Sequence, residues 1–121
     1  MSKQLERVAD SSGRVIEEYE TLGGLIDGYR RIWSSAGVLL AEAQCRNGKA
    51  EGRAREWNEK EQLICECHYR DGELHGHYKS WWDNGKLKEE GVFERGKRVG
   101  KHTWYHEDGR VWQTVELLHV T

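Results

Sequence analysis

Gly28, Gly52, Gly76 and Gly100 stand 24 residues apart, and this spacing restricts the fold more than any other feature of the chain. Other positions keep the same register: Trp33, Trp57, Trp81 and Tyr105; Leu39, Leu63, Leu87 and Val111; Gly48, Gly72 and Gly96; Glu42, Glu66 and Glu90; Cys45, Tyr69, Phe93 and Leu117. So many columns without an insertion define a tandem repeat, whose units bury apolar surface only by stacking on neighbours. The units run 28–51, 52–75, 76–99 and 100–121. Residues 1–27 form an N-terminal segment with a degenerate first copy, in which Gly13, Val15, Glu18 and Gly24 fall on the columns.

Each unit reads as a β-hairpin. A short aromatic-ended segment such as Gly52 to Trp57 leads into a turn, marked by Asn84-Gly85 and Asp108-Gly109 and more weakly by Ala36-Gly37; Lys60-Glu61 lacks the glycine. A longer strand follows, such as Leu63 to Tyr69, closed by Asn47-Gly48, Asp71-Gly72 or Arg95-Gly96. Gly48, Gly72, Gly85, Gly96 and Gly109 are therefore expected at left-handed turn positions. A helical reading would place a glycine in every few turns, at about 1 kcal/mol each. Only Lys3 to Asp10 is left as a candidate short helix. The expected fold is all-β: an elongated, single-layer, twisted antiparallel sheet of tandem hairpins. Because the period is even, odd-numbered strand positions are expected on one apolar face and even-numbered ones on a mixed face. The expected repeat core is Trp33, Leu39, Trp57, Leu63, Trp81, Leu87, Phe93, Tyr105 and Val111.

A one-layer sheet fits the composition. Hydrophobic residues are 36% and charged ones 33%, too polar for a thick core, yet six Trp and five Tyr set the chain apart from disordered sequences. With 14 Gly and no Pro, the turns rest on glycine. The net charge of −2 lacks the basic footprint of a nucleic-acid binder. No apolar run approaches a membrane span, and Met1 to Arg7 has no signal-peptide character. Three cysteines, an odd number, fit a reducing compartment, so an intracellular location is expected, in a bacterial or host cytoplasm or a virion.

The copy Gly76-His77-Tyr78-Lys79-Ser80-Trp81-Trp82-Asp83-Asn84-Gly85-Lys86-Leu87-Lys88-Glu89-Glu90 resembles the MORN-repeat family, in its variant with hairpins of the form Gly-x-Tyr-x-x-Trp-Trp-x-Asn-Gly-x-Leu-x-x-Glu. Cys67 to Gly76 is similar to the family's linking half. The resemblance covers Gly28 to Val115, with departures at Glu61, Thr114 and the Gly23-Gly24 turn. It implies an elongated hairpin array that binds other proteins, with lipid binding in some members. Proteins similar in this variant include bacterial antitoxins and repeat proteins of large DNA viruses.

Several residue groups invite a catalytic or metal reading. The six histidines, among them His68, His75, His77, His102 and His106, lack a nucleophile or Cys-x-x-Cys partner and read as solvated strand residues. Cys65 and Cys67 could hold a metal only with two further ligands, and read as small core residues. Glu42, Glu66 and Glu90 form a ladder, and its repetition argues for a structural role, with Arg30 or turn amides as partners. Arg31, Arg55 and Lys79 fall beside the Trp column, where cation–π packing competes with binding of phosphate or lipid headgroups. No enzyme, cofactor or metal site is expected.

Trp82, Trp104 and Trp112 lie outside the repeat columns and share even parity. With Tyr78 and Leu118 they read either as a capping cluster covered by Leu117 to Thr121 or as the candidate partner-binding patch, Trp and Tyr being enriched in interface hot spots. The expected function is a non-catalytic protein-interaction scaffold, a viral structural or accessory protein among its contexts. The alternatives are an antitoxin that neutralises a toxin and a phospholipid-binding tether. The expected partner is a protein, or a second copy through the apolar face, and no nucleic acid.

Overall fold

The computed structural model describes residues 2–118. Eleven strands form one antiparallel sheet: β1 Gln4–Ala9, β2 Val15–Leu22, β3 Leu25–Trp33, β4 Leu39–Arg46, β5 Lys49–Trp57, β6 Leu63–Arg70, β7 Glu73–Leu74, β8 Gly76–Trp81, β9 Leu87–Glu94, β10 Lys97–Tyr105 and β11 Val111–Leu117. Each strand pairs with its sequence neighbour, except that β6 pairs with both β7 and β8. His75 separates β7 from β8, which together correspond to the single strands β5 and β10. Lys3 to Asp10, the candidate helix, is instead strand β1: Arg7 pairs with Glu18 and Glu6 with Tyr19, so the first hairpin extends the sheet. No helix of the described residues is long and apolar enough to cross a membrane.

Two turn types alternate. In the tight ones both central residues have positive φ, as at Asn47-Gly48, Asp71-Gly72 and Arg95-Gly96, which matches the right-handed strand twist. The wider turns place Gly13, Gly37, Gly85 and Gly109 at φ between 85° and 95°. Glu61 takes the same role at φ 63°, so the turn forms without its glycine. All five expected turn glycines have positive φ.

The parity expectation fails, and the bulges explain why. Trp33 pairs with Leu39, but one step along, Ile32 pairs with Ala41 and Leu40 is the extra residue. The same slip recurs between Glu56 and Trp57, Ser80 and Trp81, and Trp104 and Tyr105. A one-residue slip reverses the face of every residue beyond it. Odd positions of one strand therefore share a face with even positions of the next.

The first face carries a row of direct partners: Arg7, Glu18, Arg31, Glu42, Arg55, Glu66, Lys79, Glu90, Thr103 and Thr114. Charge alternates along its first eight members. Ion pairs close Arg7–Glu18 at 2.8 Å, Arg31–Glu42 at 2.7 Å and Arg55–Glu66 at 2.6 Å. Each exposed cross-strand pair contributes about 0.2–1 kcal/mol, so the row aligns strands more than it stabilises them. The acidic and basic columns thus lie on one face and neutralise each other; Arg30 pairs with Glu17 instead. Trp33, Trp57, Trp81 and Tyr105 flank the row and are half-buried.

The buried core sits on the other face, towards the C-terminal half. Cys67 and Phe93 are the buried hydrophobic residues, and His102 is wholly buried. Val111, expected in the core, is 57% exposed because β11 has a neighbouring strand on one side only among the described residues. The burial of His102 also overturns its reading as a solvated strand histidine. Its Nε2 lies 2.6 Å from Glu89 Oε2, its ring is 4.6 Å from the Trp104 ring, and Phe93 meets it edge-on at 5.8 Å. The Arg98 guanidinium lies over both Phe93 and Trp104 and bonds Glu89. A single layer thus shields a small core by laying a long cationic side chain across aromatic rings.

Candidate interaction surface

Four of the five patch residues gather on the core face. The Tyr78 ring lies 5.4 Å from the Phe93 ring, tilted 60° to it, and its direct cross-strand partner is Gly91. Trp82, Trp104 and Trp112 together line a cavity of about 480 Å³ with Lys88, Tyr105, His106 and Glu107. Trp112 is 61% exposed and faces His106 at 6.4 Å. Leu118 lies beyond the last strand and is 84% exposed, apart from the other four.

The wide turns show how Trp82 reaches this surface. Their first residues are Asp10, Ser34, Asn58, Trp82 and His106. In the first three, the side chain caps its own turn: Asp10 Oδ1 accepts from the Ser12 and Arg14 amides, Ser34 Oγ from Ala36 and Val38, Asn58 Oδ1 from Lys60 and Gln62. Such caps hold a turn without tertiary support. In the last two units the acceptor moves two residues on, to Asn84 Oδ1 for the Lys86 amide and Asp108 Oδ1 for the Arg110 amide. Trp82 and His106 are thereby released from capping. Trp112 stands at the bulge position held elsewhere by Leu40, Ile64 and Lys88.

A second cavity, of about 690 Å³, adjoins the first across Trp82. Its lining includes Glu56, Cys65, Tyr78, Asp83, Lys88, Glu89 and Glu107. The Lys88 ammonium sits 4.8 Å from the Trp82 ring centre. The Trp82 Nε1–H is withdrawn from solvent without an acceptor, an arrangement Trp side chains usually avoid. Cys65 and Cys67 are free thiols on the same face, as expected. The neighbouring Cys67 thiol holds the Cys65 thiol below its usual range, while the Cys65 thiol and burial push Cys67 up. Burial, then the neighbouring Cys65 thiol, also raises Tyr78. Lys88, Glu89, Glu56 and Glu107 were not legible as site residues; the switch from Leu40 and Ile64 to Lys88 in one column was the available signal.

The comparison with curated proteins gave no match. Among solved structures, a chain of the "Crystal structure of GtfA/B complex bound to UDP and GlcNAc" is similar at 9% identity and a TM-score of 0.38, over 94% of this chain and 22% of that one. This chain therefore spans less than a quarter of that chain's length. The family model described as the MORN repeat variant matches at two places that correspond to the last two units, where the cap changes and the aromatic surface lie. Residues 74–95 and 98–117, about a third of the chain, are similar to this repeat variant.

Proposed function

We propose that the protein is a non-catalytic interaction scaffold whose partner docks on the core face of the last two units. The observation that carries this reading is the convergence of Trp82, Trp104 and Trp112 on one cavity, with Trp82 at a repeat position that no longer caps its turn. MORN repeats favour a binding or scaffold role. The carboxylate column is engaged by Arg31, Arg55 and the Tyr105 hydroxyl, which suits structure better than acid–base chemistry. The same pairing engages Arg31 and Arg55, two of the three basic residues on which lipid tethering rested. Free thiols at Cys45, Cys65 and Cys67 fit a reducing, intracellular setting. A viral assembly and a neutralised toxin both supply a partner of this kind.

The test is affinity capture from the native source with wild-type protein and Trp112→Ala in parallel. Trp112 is largely exposed, so its truncation should change stability by less than about 0.5 kcal/mol. A partner retained by wild type and lost by the variant supports the proposal. Equal capture by both refutes the placement on this face.

A further inference from the structure

We infer that this face recognises a protein segment presenting a basic side chain beside an apolar one, an inference that rests on the docking face proposed above. The two adjoining cavities differ in chemistry. The larger is lined by four acidic side chains, Glu56, Asp83, Glu89 and Glu107, against one base, Lys88. Glu89 is engaged by His102 and Arg98. Among the described residues, Glu56, Asp83 and Glu107 make no ion pair. The smaller cavity is walled by the Trp82, Trp104 and Trp112 rings.

Trp82 borders both chambers and links them. Its ring already holds one cation from its own chain, the Lys88 ammonium, which shows that a positive charge suits this indole face. A guanidinium or ammonium entering the acidic chamber meets carboxylates and an aromatic plane together, the pairing that favours a cation most. An apolar neighbour on the same segment fits between Trp104 and Trp112. An acidic segment would instead face repulsion in the larger chamber.

The experiment selects displayed random twelve-residue peptides on the intact wild-type protein. Binding of the enriched peptides is then measured on wild type, Glu56→Gln, Glu107→Gln, Lys88→Ala and Trp112→Ala. Enriched peptides should carry Arg or Lys next to an apolar residue. Their affinity should fall about tenfold with either glutamine variant, in keeping with loss of one close charge pair. It should rise in Lys88→Ala, which removes the competing cation, and weaken in 0.5 M salt. If peptides lose binding in Trp112→Ala but not in the glutamine variants, the docking face stands and the basic-residue inference is overturned. If no variant changes binding, or no peptide is enriched, both fail. Thermal melts of each variant identify any loss that comes from unfolding.

Discussion

Gly91 tests the packing of the core face. Its φ is not positive, so backbone strain does not demand glycine there. Space does. A Cβ on residue 91 would lie 2.0 Å from His102 Nδ1 and 2.5 Å from its Cε1. The ring cannot slide aside, because Glu89 holds Nε2 at 2.6 Å, and Trp104 and Phe93 pack against it. Gly91→Ala must therefore expel the imidazole. Loss of a hydrogen bond to a charged group costs about 1.5–3 kcal/mol, and overpacking strain adds about 1–3, giving about 3 kcal/mol net. For a chain this size that lowers Tm by about 10 °C, read by circular dichroism at constant salt. The repeat supplies its own control. Residues 43 and 54, the counterparts of 91 and 102, are both alanine and pair directly. Gly91→Ala with His102→Ala recreates that pair and should recover at least half the loss. A single Gly91→Ala variant that melts within 2 °C (about 0.5 kcal/mol) of wild type would refute the burial of His102 against Gly91.

Two further perturbations follow from the turns and the charged row. Glu61 holds a left-handed φ of 63° where equivalent turns use glycine, so Glu61→Gly should raise stability by about 0.5–1 kcal/mol after glycine's entropic penalty; a lower Tm would count against the shared turn geometry. Arg55 stands between Glu42 and Glu66, so Arg55→Glu should cost about 1–2 kcal/mol at low ionic strength and less in 1 M salt. Denaturant titrations at two salt concentrations measure this, and an unchanged midpoint at low salt would show that the row is energetically silent.

The repeat, the hairpins, the turn glycines and the outlying aromatic residues were legible in the sequence because each is a local signal. Glycine at a fixed period reports a backbone need that neighbours cannot hide. The faces were not legible, since they depend on Leu40, Ile64, Lys88 and Trp112 acting as extra residues in a bulge. A bulge leaves no composition of its own: Leu, Ile, Lys and Trp share no property. Once its register is known, Arg31 and Glu42 fall opposite each other, and two unrelated columns become one row. His102 was hidden for a related reason. Its burial depends on Gly91 across the strand pair, on Glu89 below and on Arg98 above, and no spacing along the chain links these four.

The repeat therefore serves as its own reference state. Where all copies agree, a residue is explained by what every unit needs: a turn, a charge partner, a bulge. Where the last two copies depart, the structural need is still met, because Asn84 and Asp108 cap the turns that Trp82 and His106 no longer cap. A change that relocates a structural task instead of abandoning it leaves the original position open to a different pressure. In one strand pair that pressure placed a tryptophan against a lysine and an acidic chamber, with no gain in satisfied hydrogen bonds, since the Trp82 N–H has no acceptor. Folding alone gives no reason to leave that donor unpaired, and the docking surface proposed above gives Trp82 a role that folding does not.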